Sequence, residues 1–200
     1  MKGMIFIEAI NTVERGDTPP PTPASGTDPN ATIIRNVMNE IEKRTCVRFV
    51  KRTDQKDYVH LVSRQGCYSY LGRNGGEQPL SLGRGCLFNG SVTHELLHAV
   101  GFFHEHSRPD RDDYIDVFPE NIIEAFLPNF KKIAPRHIRL LTAFDFDSVM
   151  LYGSDSFSRG NGLPSMLAKN GDRLIAVYKK DGLSSQDVIR INTLYNCTQG

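Results

Sequence analysis

Three histidines and a glutamate lie within residues 94–104, which read HELLHAVGFFH. On a helix, His94 and His98 are four residues apart, so both imidazoles project from one face and can bind the same ion. A straight helix cannot bring His104 to that ion, but Gly101 can adopt a positive φ and turn the chain back towards it. The pattern therefore predicts a helix that ends at Gly101 and three histidines that meet at one metal ion.

This ligand set favours zinc, because three histidines leave one coordination position open for water, as catalytic zinc sites do. Zinc lowers the pKa of such a water to about 7 and polarises a carbonyl group. Glu95 adjoins the first ligand, where it can accept a proton from that water and pass it to a leaving amine. We therefore predict one Zn²⁺ per chain and hydrolysis with Glu95 as general base. His60, His106 and His137 fit no ligand pattern and are predicted to be ordinary surface or core residues.

Composition excludes several other classes of partner. The chain has 200 residues, 39% of them hydrophobic, which suffices for one domain with a core or for two lobes that share a cleft. Its 24 basic and 23 acidic residues give a net charge of +1, so nucleic-acid binding is not expected. No stretch approaches the roughly 18 apolar residues of a membrane-spanning helix, so membrane insertion is not expected either. Residues 4–10 are short for a signal-peptide core and no cleavage site follows them, so no signal peptide is visible.

The four cysteines do not have the C-x-x-C spacing of a structural zinc site. Their even number suits two disulfide bonds in an oxidising compartment, and three pairings are open. Four reduced, buried thiols are the alternative. By the loss of loop entropy in the unfolded chain, a disulfide between the first and last cysteine would stabilise the fold by roughly 5 kcal/mol. One between the middle two would stabilise it by roughly 3 kcal/mol. The cysteines are Cys46, Cys67, Cys86 and Cys197.

The N-terminal half alternates strand and helix patterns. Residues 4–10 are predicted to form a strand, and a Pro-rich loop over residues 17–29 separates it from the next element. Apolar residues at helical spacing predict an amphipathic helix over residues 31–45. Short β-rich runs then predict one small sheet; they are residues 47–50, 58–62, 67–72 and 86–88.

Two further helices are predicted after the sheet. Ser91 is a suitable N-cap for the second helix, which runs to about Val100 and carries the zinc motif. The sequence beyond it is rich in turns until Ser184, where Ser-Ser-Gln-Asp opens a final amphipathic helix that ends at Cys197. The layout is thus a lobe of sheet and helices, the metal helix, and a less regular second lobe.

These motifs together resemble the astacin family of metzincin endopeptidases. The resemblance covers roughly residues 31–197, and beside HELLHAVGFFHEHSRPDRDDYI it rests on TCVRFV, GCYSYLGR, SVMLY and GLSSQDVIRINTLYNC. It implies an α+β, zincin-like fold with an active-site cleft between two lobes. The N-terminal lobe, about residues 31–101, would hold a small twisted mixed sheet and two helices. The C-terminal lobe, about residues 102–197, would be irregular with a final helix, and residues 1–30 would be an atypical strand and Pro-rich loop.

The resemblance also implies roles for residues outside the zinc motif. Met150, in the SVMLY segment, matches the methionine turn that forms an apolar floor beneath the three imidazoles. Tyr152 matches an additional zinc ligand that swings away to hydrogen-bond the oxyanion of the transition state. Glu105 matches the glutamate that contacts the N-terminus of the processed enzyme.

Two further expectations follow from the resemblance. The family's disulfides correspond to the pairs Cys46–Cys197 and Cys67–Cys86. Near Lys179 and Lys180 the family often has Gln-Arg, so Lys180 is expected to replace the arginine of a substrate pocket that favours acidic side chains. A lysine keeps the charge without the planar fork, so the acidic preference would be weaker, and a solvated lysine is the alternative.

The sequence therefore predicts a secreted, monomeric zinc metalloendopeptidase that hydrolyses extracellular proteins or peptides. Sequons at Asn30, Asn89 and Asn196 are compatible with secretion. The alternative is a catalytically silent secreted binding protein on the same fold. A pure binder has no chemical need for Glu95 and Tyr152 beside three histidines, which favours the enzyme.

Overall fold

The computed structural model describes residues 4–8, 14–15 and 29–197, so the predicted Pro-rich loop lies almost wholly outside the described residues. The helices are α1 (Pro29–Arg44), α2 (Asn89–Val100) and α3 (Ser185–Tyr195). The strands are β1 (Met4–Glu8), β2 (Glu14–Arg15), β3 (Arg48–Lys51), β4 (Tyr58–Ser63), β5 (Cys67–Ser69), β6 (Glu77–Leu82), β7 (Ile115–Val117) and β8 (Met166–Ala168). Short 3₁₀ helices are Glu105–Ser107, Arg111–Asp113, Pro119–Asn121, Glu124–Phe130, Pro135–His137 and Val177–Lys179.

The three predicted helices are present, each for a local physical reason. α1 buries one apolar stripe, from Ala31 to Ile41, and carries two basic residues in its last turn, where they oppose the negative end of the helix dipole. α3 opens with a capping box, because the Ser184 hydroxyl accepts from the Asp187 amide while the Asp187 carboxylate accepts from the Ser184 amide. α2 ends at Gly101, whose φ is +114°.

A mixed sheet of six strands forms from the described residues, in the order β3-β1-β4-β6-β5, with β2 beside β4. All of its pairs are parallel except β5 with β6, so β5 is an antiparallel strand at the edge. β1 lies inside the sheet, and its Ile7 is fully buried opposite Val59. The predicted α+β class with a small mixed sheet is confirmed.

Three local predictions are wrong. Residues 86–88 are not a strand, because Cys86 is tied to Cys67 and the chain turns there into α2. Ser91 is not an N-cap, since α2 begins two residues earlier and Ser91 is buried within it. Residues 77–82 form a strand that was not predicted; its Pro79 lies beyond the last residue that pairs with β5, so no ladder bond to that edge is lost.

Two apolar clusters build the core and flank the zinc motif. One lies between the sheet, α1 and α2, and it also contains Met150 and Ile191. The other lies in the second lobe around the antiparallel pair β7 and β8, with Ile122 and Leu151 fully buried. α2 packs into the first cluster with almost every residue buried, and Tyr152 packs against the second cluster.

All four cysteines are in disulfide bonds. Cys46 is bonded to Cys197, 151 residues away, and Cys67 to Cys86, 19 residues away, which is the pairing that the resemblance implied. The first bond ties the end of α1 to the end of α3, and the second ties the edge strand β5 to the approach to α2. In the described part of the chain, no helix is long and apolar enough to cross a lipid bilayer.

Candidate metal centre

The end of α2 brings the three histidines of the motif together. The amide of Gly101 donates to the carbonyls of Leu97 and His98, which closes the helix and turns the chain back. As a result, the Nε2 atoms of His94, His98 and His104 form a triangle in which each side is 3.1 Å. A tetrahedral zinc ion with Zn–N bonds of about 2.0–2.1 Å separates its ligand nitrogens by roughly 3.3 Å, so the triangle fits zinc.

Hydrogen bonds on the far side of the rings orient two of these imidazoles. His94 Nδ1 lies 2.8 Å from the carbonyl oxygen of Val149, and His98 Nδ1 lies 2.8 Å from that of Phe102. A carbonyl only accepts, so each Nδ1 carries the proton and each Nε2 presents its lone pair to the triangle. Burial lowers the pKa of His94 to about 3 and lowers the pKa values of His98 and His104, which keeps the rings neutral. Lone pairs that converge at this distance repel one another unless a cation lies between them.

Glu95 follows the first of these histidines on α2 and lines the same cavity as His94 and Tyr152. The residue is 5% exposed, and one carboxylate oxygen, Oε2, has no hydrogen-bond partner among the described residues. Burial raises the pKa of Glu95 to about 8. A buried polar atom without a partner is costly, so its retention beside the ligands points to a function.

The segment SVMLY supports the ligands through its backbone. Val149 accepts the hydrogen bond from His94, and the carbonyl of Met150 accepts from the amide of Glu105, directly after the third ligand, at 2.9 Å. Met150 is completely buried in the first apolar cluster. This turn is therefore connected to both ends of the zinc motif.

Tyr152 packs against the imidazoles. Its ring centroid is 4.3 Å from that of His104 and 5.8 Å from that of His94. Burial, followed by the charge of Glu95, raises the pKa of the phenol, so the hydroxyl stays protonated. The structure thus brings together the three histidines, Glu95 and Tyr152 from two separated stretches of chain, residues 94–104 and 149–152.

A cleft of about 660 Å³ opens beside the metal cluster. Its lining includes His94, Glu95 and Tyr152 of the site and Cys67 of the edge strand, and residues 173–179 form one wall of it. Apolar and aromatic side chains are prominent in this wall, and they include Leu174, Ile175, Val177 and Tyr178. The cleft can therefore hold a peptide with its backbone next to the metal cluster.

Comparison with known protein families agrees with this geometry. The peptidase family described as Astacin matches residues 23–196. The chain belongs to the astacin family. This is a family of zinc metalloendopeptidases, and the three-histidine cluster of this chain is able to bind one metal ion.

Individual astacins show how far the likeness extends. High choriolytic enzyme 1 of Oryzias latipes is 43% identical over 165 residues, which are 82% of this chain and 60% of that protein. Astacin-like metalloprotease toxin 1 of Loxosceles intermedia is 42% identical over 169 residues, 82% of this chain and 64% of that protein. The solved structure of high choriolytic enzyme 1, a hatching enzyme zinc-protease, aligns with a TM-score of 0.82 at 38% identity over 98% of this chain and 90% of that chain. The chain thus spans about three fifths of the length of these curated relatives.

His106, which fits no ligand pattern, is a core residue as predicted, but the sequence did not indicate that it packs against the site. It is fully buried, and its ring stacks on Tyr152 with centroids 4.4 Å apart and on His104 with centroids 5.0 Å apart. Its Nε2 lies 3.1 Å from the carbonyl oxygen of Asn129. The spacing of His104 and His106 is a weak signal, because only the tertiary fold shows that the second imidazole supports Tyr152.

Lys180 does not line the cleft, contrary to the interpretation from the sequence. Its Nζ donates to the carbonyl of Ser148 at 2.6 Å and to that of Leu151 at 3.1 Å, so the amine is directed to the methionine turn. Burial lowers its pKa to about 8, so it is not a solvated lysine either. The cations that do line the cleft are Lys179 and Arg173, and the latter is paired with Asp155.

These placements predict different effects for the two neighbouring lysines. We expect Lys179→Met to reduce the preference for an acidic side chain about threefold, because it removes an exposed charge at the cleft. We expect Lys180→Met to leave that preference unchanged and to cost about 2 kcal/mol of stability, because hydrogen bonds from a charged donor are lost. Ratios of kcat/KM for Asp and Asn peptides, with urea unfolding, measure both effects. A changed ratio in Lys180→Met alone would contradict the assignment.

Proposed function

We propose that this chain is a secreted endopeptidase that hydrolyses peptide bonds of extracellular proteins or peptides, with Glu95 as general base. The observation that carries the proposal is the buried carboxylate oxygen of Glu95, which has no hydrogen-bond partner among the described residues and lies where the cleft meets the metal cluster. An acceptor in that position is suited to take a proton from water.

Zinc, when bound, supplies a positive charge that polarises the scissile carbonyl and acidifies a water. Glu95 takes a proton from the attacking water and gives it to the nitrogen of the scissile bond as that bond breaks. The water oxygen remains on the carbonyl carbon, so the products are a carboxylic acid and an amine. No covalent bond to the protein forms.

Tyr152 is proposed to assist this step and to serve as an additional zinc ligand when no substrate is present. Its protonated hydroxyl can donate a hydrogen bond to the oxygen on which negative charge develops. The close packing of its ring against His104 and His106 supports the role, because it restricts the directions in which the hydroxyl can move. Met150 is proposed to form the apolar floor of the site, as its complete burial permits.

The edge strand β5 supports the proposal of extended peptide substrates. Among the described strands it pairs with β6 alone, and its Cys67 lines the cleft. An extended peptide can add to such an edge through backbone hydrogen bonds while its side chains enter pockets. Selectivity for particular side chains then depends on the wall formed by residues 173–179.

The proposal of secretion is supported by the two disulfide bonds, which persist in oxidising compartments. One astacin to which the chain is similar is named a toxin and another a hatching enzyme. We propose that this chain likewise acts outside the cell, as a monomer with protein or peptide substrates.

Hydrolysis of casein with and without a zinc chelator tests the function. We expect hydrolysis to stop when the metal is removed and to return when one equivalent of Zn²⁺ per chain is added. Hydrolysis that survives complete removal of the metal would contradict the zinc mechanism. A zinc-loaded chain that cleaves neither casein nor a broad peptide library would instead support a silent binding protein.

A further inference from the structure

A buried network of charged side chains lies behind the metal cluster, on the side of α3. At its centre is Glu105, which follows the ligand His104 and is 2% exposed. Its Oε1 accepts from Arg108 Nη1 and from the amide of Asp145, each at 3.0 Å. Its Oε2 accepts from Nη1 of Arg190, a residue of α3 that lies 85 positions further along the chain. The residue after the third ligand is therefore held by the final helix.

The other arm of the same guanidinium reaches the methionine turn. Arg190 Nη2 donates to the hydroxyl of Ser148 at 2.7 Å and to the carboxylate of Asp187. That carboxylate also accepts from the amide of Val149, at 2.9 Å. Val149 in turn accepts the Nδ1 hydrogen bond of the first ligand, His94. One arginine thus contacts the segment next to His104 and the segment that orients His94.

We infer that Arg190 is a positioning residue, which sets the spacing of His94 and His104 and thereby the affinity of the site for zinc. The inference rests on the proposed zinc site but not on catalysis. Loss of a hydrogen-bond partner that orients a metal ligand typically weakens metal binding 10- to 100-fold. A planar guanidinium can donate hydrogen bonds to two separate partners through its two terminal nitrogens, whereas a lysine has one terminal nitrogen. Arg190→Lys therefore keeps the buried positive charge but cannot donate to Glu105 and Ser148 at the same time.

The free energy of burying charges indicates that this network orients the metal ligands and is not needed to hold α3 in place. Burying several charges gives little net stability compared with apolar packing of the same volume, whereas it can impose one geometry. α3 is also held by other means, since Cys197 is bonded to Cys46, the Tyr195 hydroxyl donates to the Val100 carbonyl, and Ile191 is fully buried. Loss of Arg190 therefore leaves the helix docked and acts on the two segments that its guanidinium connects.

The test compares zinc affinities measured by competition with a chromophoric chelator. We expect Arg190→Lys to bind Zn²⁺ at least tenfold more weakly than the unchanged chain, and its Co²⁺-substituted form to show a shifted visible spectrum. Arg44→Lys is the control, because Arg44 is half-buried and donates to the Leu183 carbonyl near α3, but it does not contact Glu105 or Ser148. The control is expected to keep both the affinity and the spectrum.

An unchanged zinc affinity and cobalt spectrum in Arg190→Lys, with only a lower unfolding midpoint, would overturn the inference. If that variant does not fold, the pair Arg190→Met with Glu105→Gln removes both buried charges and is measured in the same way. It is expected to lose at least tenfold in zinc affinity, and retention of full affinity would again overturn the inference. Failure of the proposed peptidase activity is distinguishable, because it would leave these affinities unaffected.

Discussion

Replacing Glu95 by glutamine is expected to reduce kcat/KM for peptide hydrolysis by about three orders of magnitude while zinc remains bound. The amide has nearly the same shape as the carboxylate, but it cannot accept a proton from water at neutral pH. The three Nε2 atoms that form the metal site are untouched by this change. Measurement with a fluorogenic peptide, together with the zinc content of the purified variant, separates loss of the base from loss of the metal.

Glu120→Gln is a suitable control for this change, because Glu120 is exposed and lies outside the cleft. It is expected to keep the activity of the unchanged chain. Hydrolysis by Glu95→Gln at a rate close to that of the control, with one zinc ion bound, would show that another group is the base. Loss of zinc from Glu95→Gln would instead assign Glu95 to the metal site, which contradicts the role proposed here.

Replacing Gly90 by alanine is expected to destabilise the protein by about 3 kcal/mol, because the added methyl group overlaps rigid backbone. A Cβ atom at this position would lie 2.0 Å from the carbonyl oxygen of Val177 and 2.6 Å from that of Lys180. Gly90 lies in the first turn of α2, and Val177 belongs to the wall of the cleft. The same contact that excludes alanine therefore holds the metal helix against the substrate wall.

Urea unfolding measures this cost, and KM for a peptide substrate reports any displacement of the wall. Gly66→Ala serves as the comparison, since a Cβ there meets nothing within 4 Å but the residue has a φ of +87°. That variant is expected to lose only about 1 kcal/mol, the cost of a left-handed conformation for alanine. Equal stability of Gly90→Ala and the unchanged chain would mean that residues 177–180 do not pack on α2 as described.

Features that depend on short stretches of sequence were predicted well. The spacing of His94 and His98 determines their common face on a helix, and the positive φ of Gly101 follows from its lack of a side chain. The capping box at Ser184 likewise involves residues only three positions apart. Each of these depends on local backbone geometry, so neighbouring residues suffice to predict it.

Features that depend on distant partners were missed or misplaced. The strand over residues 77–82 contains Pro79, which argues against a central strand unless the extent of its neighbour is known. Lys180 was expected to face the substrate, but its amine donates to two carbonyls of the methionine turn, which lies about 30 residues earlier. His106 has no local signal for its place against Tyr152.

Gly90 and Arg190 show which features can be predicted from the sequence and which depend on the tertiary structure. The sequence alone predicted the three-histidine cluster, the proposed base beside it and the three helices, because their geometry arises within a few residues. It also favours alanine over glycine at position 90, by up to about 1 kcal/mol of helix propensity. Only the tertiary structure reverses that preference and connects Arg190 to Glu105 and Ser148, because steric overlap and buried hydrogen bonds depend on which distant segments the fold brings into contact.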